Sequence, residues 1–248
     1  MKKTLFSLIF AICLIVALIP VMASADGEVA NLAIADQTVT VNGTQTLLFT
    51  TDASTGFLTA TTDTNAYNVK VALEGGEAKI WLKGATLKNS DTYAAIEVLA
   101  DTTASALRII VETDSTIIAT TKNAFSDGKL VPCVIEGTGK LTVEAEKTAF
   151  NMYQQSLTFK DLEVVVRVNT TASSQHCIGG RPDLVTFDGC NAVLEATGTC
   201  SVYYSGNTDS SVNLRGIQII NGADVTMESV KGTTIYAANP NSKLLVDG

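Results

Sequence analysis

The chain has 248 residues, with 25 acidic against 17 basic side chains and a net charge of −8. Such a surface repels nucleic acid and anionic lipid, which excludes proteins that bind either by bulk charge. Proline is scarce, with 4 in the chain, and no long stretch carries a helical apolar period, so helical bundles are excluded and short alternating runs predict an all-β protein.

Residues 1–25 read as a signal peptide. Lys2 and Lys3 form a basic start, an apolar stretch runs from Leu5 to Ile19, and Ala23-Ser24-Ala25 offers a small-x-small cleavage site. The charge-free segment from Thr4 to Ala25 is also long enough to span a bilayer as an uncleaved anchor, but Pro20 before the small residues favours cleavage. The mature chain then begins at Asp26, with no second run of spanning length, and is secreted or displayed at the cell surface. It keeps 15 basic residues against 25 acidic ones, a net charge of −10. Export permits disulfides among Cys133, Cys177, Cys190 and Cys200, with three full connectivities open. The competing reading makes these cysteines small buried apolar side chains of a stacked core.

Residues 26–75 are irregular, with Thr- and Asn-rich strands such as Thr38-Val39-Thr40-Val41 and Asn68-Val69-Lys70-Val71. They are expected to start the array and cover its first rung, whose open backbone groups would otherwise recruit other strands. From 76 onward a phrase recurs in which a β-rich run ends at a polar residue, a turn follows and a second run begins. Its turn residues are Lys83, Glu112, Glu136, Lys160, Asp188 and Asn221, spaced 29, 24, 24, 28 and 33 apart. A second marker, small-apolar pairs at Ala95-Ile96, Ala124-Phe125, Ala149-Phe150, Cys177-Ile178, Ser201-Val202 and Thr234-Ile235, steps by 29, 25, 28, 24 and 33.

A unit of this size cannot bury its own apolar face and must stack on copies of itself. Three strands per unit predict a triangular coil, hence a right-handed parallel β-helix (solenoid) of about six rungs over 76–248, with neighbouring coils about 4.8 Å apart. The last run, Lys243-Leu244-Leu245-Val246, stops without its second half, which predicts a chain truncated at Gly248 or capped by a partner. Stacking would also place the six turn residues in one column, with Glu112 over Glu136 as its like-charged step.

The phrases Trp81-Leu82-Lys83-Gly84-Ala85-Thr86-Leu87, Ala94-Ala95-Ile96-Glu97-Val98, Ile135-Glu136-Gly137-Thr138-Gly139-Lys140-Leu141-Thr142-Val143 and Cys177-Ile178-Gly179-Gly180 carry a resemblance. From about Gly75 to Gly248 the chain resembles the pectate-lyase-like parallel β-helix domains of secreted and cell-surface proteins from Gram-positive anaerobes, many of them carbohydrate-binding. The resemblance implies a coil whose relatives bind plant or cell-wall polysaccharide, some with calcium.

The expected function is an extracellular polysaccharide-binding or adhesive module with a polysaccharide or cell-surface glycan as partner. A polyuronate lyase or glycoside hydrolase of the β-helix type, and a structural surface spacer, are the alternatives. Hydrolysis needs clustered carboxylates, and Asn207-Thr208-Asp209 resembles a polygalacturonase signature whose remaining parts do not follow. Lyase chemistry needs acids that bind calcium beside an arginine base, but Arg108 and Arg167 fall in non-adjacent coils and match no lyase motif. No catalytic residue is assigned. A Cys-His nucleophile at His176-Cys177 is disfavoured because neighbours on a strand point to opposite faces. Glu112, Asp114 and Glu136 are the calcium candidates, because stacked turns would crowd their carboxylates. Tyr153, Tyr203, Tyr204 and Tyr236 are the ligand-binding candidates, since sugar C–H faces pack on aromatic rings; of Tyr203 and Tyr204, one should point outward.

Overall fold

The computed structural model describes the strand backbones at 30–33, 38–42, 47–52, 57–62 and 69–71, and residues 77–247 apart from 90–93, 99–105, 128–130, 207, 209–214 and 240. The expected signal peptide lies outside the described residues, as do Asn207 and Asp209.

Strands β1 (Ala30–Ala33), β2 (Thr38–Asn42), β3 (Leu47–Asp52) and β4 (Phe57–Thr62) precede the regular array. The array starts with β5 (Val69–Val71), β6 (Glu77–Lys83) and β7 (Thr86–Lys88). The next coil is β8 (Ile96–Val98), β9 (Ala106–Thr113) and β10 (Ser115–Ala119), followed by β11 (Phe125–Asp127), β12 (Cys133–Gly137) and β13 (Lys140–Ala145). Then come β14 (Phe150–Tyr153), β15 (Leu157–Lys160) and β16 (Glu163–Val168), and β17 (His176–Arg181), β18 (Leu184–Asp188) and β19 (Asn191–Ala196). The last full coil is β20 (Ser201–Ser205), β21 (Gly216–Ile220) and β22 (Asp224–Ser229), and β23 (Ile235–Ala237) and β24 (Lys243–Val246) follow. The described residues contain no helix.

Each strand pairs in parallel with its counterpart one coil away, so the first, second and third strands of the coils build three separate sheets. The protein is therefore a parallel β-solenoid. Against about six expected rungs, five complete coils run from β8 to β22, with β5 to β7 before them and two strands after. At the N-terminal side β2 pairs in parallel with β6, and β3 with β5, while β4 runs antiparallel to both β3 and β1. These pairings use the backbone groups that the edges of β5 and β6 would otherwise expose.

Alternation sends every second side chain inward, and the inward positions form three continuous columns. The first sheet contributes Ile96, Phe125, Phe150, Ile178, Tyr203 and Ile235. The second contributes Ile80, Ile109, Ile135, Phe159, Phe187 and Ile219, and the third Leu87, Ile117, Val143, Val166, Leu194 and Met227. Phe159 stacks on Phe187 with centroids 5.3 Å apart, and Phe150 meets Phe159 edge-on at 5.4 Å, so the columns interlock across the interior. All four cysteines of the array, Cys133, Cys177, Cys190 and Cys200, carry free thiols and lie buried among these side chains.

The expected turn column holds in register only from Glu136 through Lys160 to Asp188. Lys83 registers with Thr113, after an irregularity in β9 opposite Leu82 and Lys83, and Asp188 registers with Ile220, one position short of Asn221. Glu136 registers with Ile110 instead of Glu112, so the like-charged step is absent. Among the small-apolar pairs the slip falls at Ser201-Val202, where the residue that continues the Phe125, Phe150 and Ile178 column is Tyr203.

Charge follows the corrected register on the outer faces. In the third sheet Glu144, Arg167 and Glu195 lie side by side, with Arg167 Nε 2.7 Å from Glu195 and its terminal nitrogen 3.6 Å from Glu144. Such exposed pairs contribute about 0 to 1 kcal/mol each and mainly favour one register over a slipped one.

Candidate functional site

Along the outward face of the first sheet the described side chains leave concave space. Ser126, Asn151 and Gly179 stand in register there on β11, β14 and β17. Gly179 leaves room that a side chain would fill: a Cβ at this position would lie 2.7 Å from Cδ2 of His176. The imidazole occupies that room and stacks on Tyr204, with centroids 4.5 Å apart and planes 7° from parallel. Tyr204 in turn stacks on Tyr236 at 5.1 Å and 8°. Three aromatic rings from β17, β20 and β23 thus form one outer ladder.

Beside this ladder the surface dips into a concavity of about 600 Å³, bordered by Ser126, Asp127, Asn151, Tyr153, Arg181 and Tyr204. Its shape depends on Gly180, which has φ +87 and whose added Cβ would meet the Met152 carbonyl oxygen at 2.4 Å. Tyr153 and Arg181 are neighbours in register, and the guanidinium lies 5.8 Å from the centre of the phenol ring. Tyr153 is 47% exposed, so its other surface is open to a ligand. Ser126 also borders a second depression of about 340 Å³ that contains Glu97, Lys122, Lys147 and Gln175.

Burial dominates the electrostatics. His176 is 6% exposed, and burial pulls its imidazole down to about 4, so the ring in the ladder is neutral at neutral pH. Burial also pushes the Tyr203 phenol up to about 12 and the Cys190 thiol up to about 11, and raises Cys133 and Cys177 further still. The Cys177 sulfur turns inward toward the Glu195 carbonyl oxygen at 3.4 Å, while His176 faces Tyr204, so the two do not form a dyad.

Among the ligand candidates, Tyr153 and Tyr204 border the same concavity, and Tyr236 extends the stack from Tyr204 and is 46% exposed. Tyr203 does not belong with them. It fills the inward column at 1% exposure, because the register slip at Ser201-Val202 gives it the core position and turns Tyr204 outward.

The three calcium candidates are not brought together. Glu112 pairs with Lys83 at 3.0 Å, Glu136 with Arg108 at 2.6 Å, and Asp114 accepts the backbone N–H of Lys140 at 2.9 Å. Among the described residues, no three His, Cys, Asp or Glu side chains are grouped as a metal would require. The residues present do not fit a calcium cage at these turns. The lyase-type bases are engaged as well: Arg108 is held by Glu136, and the hydrogen bond from Arg167 to Glu195 raises that guanidinium's pKa, away from proton acceptance.

The site contains two features that sequence reading missed, the His176 ladder and the Lys122–Lys147 depression. The signal for the first was the Gly179-Gly180 pair after His176, since two glycines on a strand mark close approach by a neighbour. Comparison with protein-family models, with curated proteins and with solved structures gives no match. The class defined by fold and surface is a parallel β-solenoid with a partly aromatic concave strip along one sheet.

Proposed function

We propose that this chain is an extracellular module that binds polysaccharide, in a soluble or an adhesive role, along the outer face of the first sheet. The observation that carries this reading is the pairing of an exposed phenol ring, Tyr153, with polar groups from Asn151, Ser126 and Arg181 around one open concavity. Sugars present an apolar C–H face and a rim of hydroxyls, and such a surface offers a counterpart to each. A rigid β-solenoid supports this use, because its coils hold the contributing side chains at a fixed repeat of about 4.8 Å without loop rearrangement.

The test is retention of the purified protein on immobilised pectin, cellulose and mucin glycans, with and without calcium. The reading expects retention on at least one of them and its loss in Tyr153→Ala. Failure to be retained on any would overturn it.

A further inference from the structure

Several bases of the solenoid body are neutralised in place. Lys83 pairs with Glu112, Arg108 with Glu136, Lys140 with Glu163, and Arg167 with Glu144 and Glu195. Lys122, Lys147 and Arg181, like Lys160, Lys231 and Lys243, have no carboxylate within ion-pair distance among the described residues, and what sets the first three apart is their place. Those three border the adjoining depressions on the first sheet.

Register explains how the lysines come together. Phe125 pairs with Phe150, and Phe150 with Ile178, so the residues three positions earlier, Lys122, Lys147 and Gln175, form one column at successive corners. Two lysines on successive coils, with backbones about 5 Å apart, place two positive charges at one depression, where an anion can meet both. Neither carboxylate that borders the strip supplies that anion. Glu97, a charged side chain, is turned to the Ala94 backbone N–H at 2.7 Å and makes no ion pair with either lysine, and Asp127 is 2% exposed.

We propose that the strip selects an anionic glycan, with Lys122 and Lys147 receiving one carboxylate or sulfate group and Arg181 a second, while Tyr153 takes a sugar face between them. This rests on the polysaccharide-binding reading and narrows it to charged chains. The long side of the strip follows β14, whose four residues span about 13 Å, so the two cationic positions suit charges on separate sugar units. The chain's net charge of −8 does not oppose this contact at physiological salt, because screening confines each charge to about 8 Å.

The test is affinity electrophoresis and calorimetry of the whole chain with polygalacturonate, dextran sulfate and neutral dextran, at low and at high salt. Binding to at least one anionic polymer is expected, with weakening at high salt and a loss of about tenfold or more in Lys122→Gln/Lys147→Gln. Polygalacturonate alone would identify carboxylate as the recognised group, and dextran sulfate alone would identify sulfate. Both lysine side chains are on the surface, and an unchanged circular dichroism spectrum and melting temperature check that the variant stays folded. Equal affinity of the variant and the parent for the anionic polymers would overturn the proposal. Binding to neutral dextran, or retention on cellulose or mucin glycans in the broader test, without binding to either anionic polymer would overturn it while leaving the broader reading in place, and failure on every polymer of both tests would overturn both.

Discussion

The imidazole of His176 lies flat against the phenol ring of Tyr204, 4.5 Å away on the next coil. Burial lowers the histidine from its ordinary 6.5 to about 4, so between those values the unfolded chain takes up a proton that the folded chain refuses. Stability should therefore be constant above about pH 6.5, fall as the pH drops toward 4, and level off below it, with a loss of up to about 3 kcal/mol from this group. Urea midpoints at pH 4.5 and 7 for the parent and His176→Phe measure it. The variant should lose less on acidification, and equal slopes would sink the assignment.

Gly180→Ala should destabilise the protein by about 2 kcal/mol, because a side chain there combines a left-handed backbone with contact against the Met152 carbonyl oxygen. Thermal melts compare it with Ser126→Ala, an outward position on the same face whose change should stay within about 0.5 kcal/mol. A Gly180→Ala protein as stable as the parent would mean that β17 does not take this conformation.

The coil was legible in the sequence because a solenoid writes its interior as spacing. Phe125, Phe150 and Ile178 are one column in the chain and in space, since the corners between them change length without changing which residue turns inward. Legibility failed where two residues compete for one marker. Ser201-Val202 and Val202-Tyr203 both read as a small residue before an apolar one, and only the hydrogen bonds to β17 select the second. Glu112 lies two positions beyond Ile110, the residue that pairs with Glu136, because β12 reaches its turn sooner than β9, so the two carboxylates do not stack. The aromatic ladder was hidden for another reason. His176 lies two residues before the inward Ile178, and its stacking on Tyr204 depends on the ring folding over Gly179, a side-chain direction that no periodicity encodes.

Phe159→Ala should cost about 3 to 5 kcal/mol, since this ring is fully buried and contacts both Phe150 and Phe187. Phe159→Leu keeps much of the volume and should cost clearly less. Chemical denaturation of the two variants gives the comparison. Equal costs would mean that the interior can collapse around the gap, contrary to a column fixed by coils on both sides.

The buried thiols should be chemically silent in the folded protein. Burial raises Cys133, Cys177 and Cys190 above the ordinary thiol value, so almost no thiolate forms at pH 8, and a reagent has no path to it. Iodoacetamide should leave Cys133, Cys177, Cys190 and Cys200 unmodified in the native protein and alkylate all four after denaturation without reductant. Mass spectrometry distinguishes the outcomes. A pair that reacts only after reduction would be a disulfide, and the free-thiol core would be wrong.

Neighbouring tyrosines on β20 should respond in opposite ways. Tyr203 fills the interior column, so Tyr203→Phe should keep both the fold and glycan binding, and the lost hydroxyl should change stability by about 1 kcal/mol or less. Tyr204 is the middle ring of the outer ladder and borders the concavity, so Tyr204→Ala should weaken binding by about tenfold, roughly 1.4 kcal/mol, while the core column stays filled. Calorimetry with whichever polysaccharide the parent retains, set beside melting temperatures, separates the two effects. Weaker binding in Tyr203→Phe with unchanged binding in Tyr204→Ala would reverse the strand's orientation, placing Tyr203 on the surface and removing the ring against which the concavity is built.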